Sequence, residues 1–208
     1  MVEAYPEGTL MTSGISKDRA AGGHRLGVLT IPEGNEQLAS TMKSLASSSY
    51  SCVSKPIQLA AIDAYSIEPE ITEFMSNSAA LFQKVSNYAW NRLSEAGYSI
   101  PGPDAAYYLF PSLNDYREEL QEKGFRSSSD IVDYLLNKYQ LACLPGSEFG
   151  LSGSDMRFRL SIVDFDAQFL FDHPNEDYVP YMANISEGCN ALTDFIGFLK
   201  NNIFWILI

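Results

Sequence analysis

Ser13-Gly14-Ile15-Ser16-Lys17-Asp18-Arg19-Ala20-Ala21-Gly22-Gly23-His24-Arg25-Leu26-Gly27 places one lysine after a short apolar segment and one arginine eight residues later. Lysine condenses with a carbonyl once its amine is neutral, and burial or a neighbouring cation brings that state into reach. Arg25 supplies a permanent fork of donors for phosphate oxygens. The Ala20-Ala21-Gly22-Gly23 run lets backbone approach a ligand closely, and the hydroxyls of Ser13 and Ser16 are further phosphate donors. These residue types together suit a phosphorylated aldehyde. A Ser-x-x-Lys nucleophile of the penicillin-binding kind is excluded, because the residue three before Lys17 is Gly14. Which of Ser13 and Ser16 faces the phosphate stays open.

Three later stretches follow in order: Ala106-Tyr107-Tyr108-Leu109-Phe110-Pro111-Ser112, Leu144-Pro145-Gly146-Ser147-Glu148-Phe149-Gly150 and Arg157-Phe158-Arg159-Leu160-Ser161. Taken with Ser16-Lys17 and Gly23-His24-Arg25-Leu26-Gly27, this collinear set resembles the class I/II, fold-type I aminotransferases that use pyridoxal 5'-phosphate. The resemblance runs from about Tyr5 to about Lys200. It implies an α/β fold, the C-terminal part of a fold-type I transferase: the end of the large α/β domain over residues 1–66, then a small α+β domain over 67–200. By the same resemblance Lys17 is the Schiff-base lysine, Arg25 with Ser13 and Ser16 binds the cofactor phosphate, and Arg159 binds the substrate α-carboxylate. Members carry upstream an aromatic that stacks on the cofactor ring, an Asn-Pro-x-Gly segment and an Asp-x-x-Tyr strand end. None of these stands among the residues before Lys17.

The implied activity is transfer of an amino group between an amino acid and a 2-oxo acid, in a homodimer. Two other readings accompany it: a truncated, non-catalytic paralogue kept as a folded or dimerising module, and a lyase of the aminocyclopropane-carboxylate-synthase kind. Arg157 lies two residues before Arg159, so in a strand both point to one face. The position before Leu160-Ser161 selects Arg159 by resemblance. Tyr107, Tyr108 and Phe110 read most simply as strand packing, with one ring grazing the substrate.

Composition sets the frame. With 208 residues, 46% of them hydrophobic, the chain is long enough for a substantial core. A net charge of -12 argues against nucleic acid, whose binding needs a basic face. Cys52, Cys143 and Cys189 are odd in number and widely spaced, which suits reduced thiols in the cytoplasm. His24 and His173 lack metal-ligand spacing with them, so no metal site is expected. Asn184-Ile185-Ser186 matches the glycosylation pattern by chance. The end from Phe195 to Ile208 is apolar but broken by Gly197 and Lys200-Asn201-Asn202, and it is too short to span a bilayer. Asn201 to Ile208 reads as an extension without counterpart in the family, and as an aggregation risk.

Periodicity predicts strands at Thr9–Ile15 and Arg25–Ile31, then helices at Glu36–Ser47, Ile57–Tyr65 and Glu68–Glu95. A strand at Ala105–Phe110 follows, with helices at Asn114–Glu122 and Ser128–Tyr139 and a cap offered by Ser127 and Asp130. Strands at Leu141–Leu144 and Met156–Val163 and a closing helix at Tyr181–Leu199 complete the pattern.

Overall fold

The computed structural model describes residues 2–174 and 176–201. The expected extension therefore lies, beyond Asn201, outside the described residues. The chain divides into two compact units, Met1–Ser78 and Ala79–Ile208.

In the first unit, β1 (Met11–Gly14) and β2 (Gly27–Thr30) pair antiparallel, with Ser13 opposite Val28 and Gly14 opposite Gly27. Residues 15–26 form the loop between them. Helices α1 (Glu36–Ser49) and α2 (Lys55–Ala64) follow, and α3 (Pro69–Ala96) begins. The α2 helix opens two residues earlier than the apolar pattern predicts, because proline is tolerated in a first turn where its missing N–H has no partner to lose. The buried apolar cluster here consists of Ile15, Leu26 and Ala61, with Val53, Ile57 and Tyr65 packed against it. Helix α1 buries no residue, and Leu10, Met11, Val28, Leu45, Leu59 and Ile62 are exposed.

The division between units falls within α3, whose fully buried positions, Val85, Ser86, Ala89 and Leu93, lie in its second half at helical spacing. The second unit continues with β3 (Tyr108–Leu109), α4 (Arg117–Glu122), α5 (Ser128–Tyr139), β4 (Leu144–Pro145), β5 (Phe158–Ser161), α6 (Ala167–Asp172) and α7 (Ala183–Lys200). Its sheet has the order β3-β5-β4, with both pairings antiparallel. Central β5 alternates: Phe158 and Leu160 are buried, while Arg159 and Ser161 point to the opposite, more open face. Helix α7 buries Ile185, Cys189, Leu192, Phe195, Ile196 and Leu199, an amphipathic stripe sharing one core with α3, α5 and the sheet. Tyr98 lies in that core and donates from its hydroxyl to the Leu192 carbonyl at 2.9 Å; burial raises its pKa well above the ordinary phenol value.

The predicted strand at Ala105–Phe110 shortens to Tyr108–Leu109. Ala106 has φ +59°, a left-handed turn conformation that ends the ladder before it. Helix α6 was not anticipated. Its cue was local: the Asp166 carboxylate accepts from the Phe169 N–H at 3.0 Å, an ordinary N-cap.

The predicted cap of α5 is a full capping box. Ser127 Oγ accepts from the Asp130 N–H at 3.2 Å, and the Asp130 carboxylate accepts from the Ser127 N–H at 2.8 Å and the Arg126 N–H at 2.7 Å. The Arg126 amide is the main reason that the Asp130 pKa is lowered. A carboxyl whose pKa falls on folding stabilises above its unfolded pKa, and loses that contribution as pH falls through the folded value. Asp130→Ala is therefore expected to cost about 1 kcal/mol at neutral pH. The gap between variant and parent, read from urea midpoints, narrows as the pH is taken below the ordinary aspartate range.

Cys52 is exposed, Cys143 half-buried and Cys189 buried, and all three are free thiols. Burial pushes the Cys143 thiol up to about 12. Among the described residues no helix is long and apolar enough to cross a membrane, and no cluster of His, Cys, Asp and Glu has the makings of a metal site.

Candidate active site

The loop of residues 15–26 is pinned at both ends by side chains that face inward: Ile15 is 4% exposed and Leu26 7%. Between them the backbone turns tightly, with the Ala20 N–H donating to the Lys17 carbonyl at 3.3 Å and the Ala21 N–H to the Ile15 carbonyl at 3.0 Å. Lys17 thus sits at the tip of a held turn, with its side chain exposed. Arg19 ties the turn to α2. Its guanidinium donates to the Ala64 carbonyl, pairs with Asp18 and lies 4.6 Å over the Tyr65 ring. The Tyr65 hydroxyl donates to Ser13 Oγ at 3.2 Å.

Arg25 occupies the left-handed region at φ +54°, ψ +44°, immediately after a 3-10 turn over Gly22–His24. Its Nη1 donates to the Gly22 carbonyl at 3.0 Å, and its side chain is exposed. A non-glycine residue there costs roughly 1–2 kcal/mol. Glycine stands at other places in the loop and at the strand end beside it. A Cβ on Gly14 would lie 3.3 Å from the Leu26 carbonyl oxygen, and one on Gly22 would lie 3.4 Å from the Ser16 carbonyl oxygen, whereas a Cβ on Gly23 would meet open space. Where local conformation alone decides, Arg25 would be the glycine. Arg25→Gly is expected to leave stability unchanged or raise it by up to about 1 kcal/mol in a urea titration. The same change should weaken retention of a phosphate ester.

Ser13, Ser16, Lys17 and Arg25 all belong to this loop and the strand end beside it. One amine, one guanidinium and hydroxyls, with Tyr65 added, make a donor set that fits an aldehyde-bearing phosphate dianion. The roles of Tyr65 and Arg19 escaped sequence reasoning, because Tyr65 reaches Ser13 across 52 residues of chain and Arg19 reaches Ala64 across 45, and no local spacing records that.

Arg159 belongs to the second unit. Its Cζ lies 4.3 Å over the Tyr108 ring and 4.8 Å over the Phe149 ring, and among the described residues it has no carboxylate partner. Arg157, which strand parity places on the same face, pairs with Asp155 at 3.5 Å. One arginine of the two is therefore neutralised within the fold. Tyr107, Tyr108 and Phe110 are half-buried, and the core position of their strand is Leu109, 2% exposed. A cavity of about 460 Å³ elsewhere in this unit runs between Leu160–Ile162 and the first half of α7, with Asp164 and Glu187 on its wall. None of the five predicted site residues lines it.

The profile of the family described as aminotransferase class I and II matches residues 1–168. The chain belongs to this family. Among its relatives, an aspartate aminotransferase of Bacillus subtilis (strain 168) is 34% identical over 145 residues, which is 69% of this chain and 35% of that protein. The crystal structure of the aspartate aminotransferase from Rhizobium meliloti superposes with a TM-score of 0.66 at 25% identity, over 91% of this chain and 42% of that one. The aspartate aminotransferase from Thermus thermophilus with maleate gives a TM-score of 0.68 at 19% identity, over 94% and 42%. The fold is thus part of a fold-type I transferase, and the chain spans about a third of the length of the curated relatives it matches.

Proposed function

We propose that this chain is part of a pyridoxal-phosphate-dependent aminotransferase acting on an amino acid and a 2-oxo acid. Residues 1–66 would be the end of its cofactor-binding large domain and 67–200 its small domain; the working enzyme would be a cytoplasmic homodimer. The observation that carries the reading is the pinned loop of residues 15–26. It presents Lys17 and a left-handed Arg25 to solvent on a frame fixed by Ile15 and Leu26.

When bound, pyridoxal phosphate supplies an aldehyde for exchange of amines and a conjugated ring that accepts the electron pair left when a Cα–H bond breaks. The rest falls to side chains of this chain. Lys17 Nζ would hold the aldehyde carbon, and as a free amine it would take up and return the α-proton, which requires a pKa near the working pH. Arg25 holds phosphate oxygens as a fixed fork, and the Ser13 and Ser16 hydroxyls add neutral donors. The Tyr65 hydroxyl orients Ser13. Arg159 takes the α-carboxylate in a bidentate pair, which fixes the direction of the Cα–H bond and so contributes by positioning.

The test is reduction with borohydride after incubation with pyridoxal phosphate, followed by peptide mass mapping. A label confined to Lys17 supports the reading. Scattered or absent label on a folded chain overturns it, and leaves the second reading, a non-catalytic folded module. That reading has its own support in the second unit, which encloses an extensive core of its own residues.

A further inference from the structure

We infer that Tyr108 and Phe149 are positioning residues for Arg159, holding its guanidinium ready to receive a carboxylate. The inference rests on the reading of Arg159 as the carboxylate clamp. The two rings arrive from opposite neighbours of β5. Tyr108 stands on β3 opposite Ser161, two residues along from Arg159 on the same face, which puts the two side chains within diagonal reach. Phe149 ends the 3-10 turn Gly146–Phe149 that follows β4, and its ring meets the Phe110 ring edge-on at 5.7 Å and 88°. The second ring, 42% exposed, thus has a packing partner of its own besides the guanidinium.

Arginine has several rotatable bonds, and ordering it when a ligand binds costs rotamer entropy. A partner that orders it beforehand improves affinity. A carboxylate partner would also neutralise it, as Asp155 does for Arg157. Aromatic faces attract the guanidinium while leaving its N–H edge for the ligand. Rings in place of an acid are what a preorganised, still charged clamp requires.

The test follows the arginine Nε–H resonances of the full 15N-labelled chain during titration with 2-oxoglutarate, the Arg159 signal being assigned by its loss in Arg159→Lys. In the parent chain that signal moves on titration. In Phe149→Leu the free signal shifts as the ring current is lost, and the apparent Kd rises about five- to tenfold, while Phe149→Tyr stays within about twofold of the parent. Tyr108→Leu removes the other ring independently, so a folding defect in one variant leaves the second as the test. If the parent Arg159 signal does not respond to 2-oxoglutarate, the clamp reading fails and the inference with it. If the parent responds and the leucine variants bind equally well, the clamp stands and the positioning role is overturned.

Discussion

Lys17→Ala is expected to lose the whole of the borohydride-stable pyridoxyl label. Lys17→Arg should lose it too, which separates the covalent role from the electrostatic one: arginine keeps the positive charge but does not deprotonate in a protein. Label should not redistribute to Lys43, Lys55 or Lys84. These are exposed lysines without the paired arginine and hydroxyls of the loop, so a carbonyl meeting them lacks a phosphate anchor. Where turnover is measured, the proton-transfer role proposed for Lys17 predicts a fall in rate of about 10²- to 10⁴-fold. Peptide mapping that finds label undiminished in Lys17→Ala would place the reactive amine elsewhere and remove the basis of the proposed function.

Phe195→Ala is expected to cost about 3–5 kcal/mol of the stability of the second unit. The ring is fully buried on α7 and meets Phe125 edge-on at 5.7 Å, Tyr134 at 5.6 Å and Phe198 at 6.2 Å. Its truncation would leave a cavity walled by aromatic rings, which are slow to collapse into it. Because a domain's total stability is about 5–15 kcal/mol, the loss is a large share of the whole. Hydrogen exchange by mass spectrometry reads it by segment: peptides from α3, β5 and α7, protected in the parent, should exchange faster together. In the parent itself, peptides covering 11–30 should exchange early, since a two-stranded hairpin with few buried side chains opens at low cost. Protection of the hairpin equal to that of α7 would contradict this account of where the stability lies.

Much of the fold was legible locally. The α5 helix and its capping box follow from a short pattern, Ser127 with Asp130, whose two hydrogen bonds form within one turn. The stripe of α7 repeats at helical spacing over its whole length, so burial and sequence agree there. The strands were harder. Ala106 takes a left-handed turn and shortens β3, and nothing in Ala105-Ala106-Tyr107 marks that conformation as glycine would. The α3 helix shows the reverse problem: its apolar period is continuous, yet Ile71, Phe74 and Met75 are only half-buried and complete burial begins at Val85.

What the amino-acid sequence determined by itself was the family, the order of the chemistry along the chain, and the residue types at each candidate position. All of these are local: motif spacing, helical period and side-chain chemistry are written within a few residues of each other. Tertiary structure decided that Arg159 lies against two rings, the Tyr108 ring coming from a strand some fifty residues earlier, while Arg157 takes its sequence neighbour Asp155. It also decided that Tyr65 reaches Ser13. The contacts of Tyr65 and Tyr108 join segments far apart in the chain, and their energies are fixed by packing and not by any pattern of neighbours.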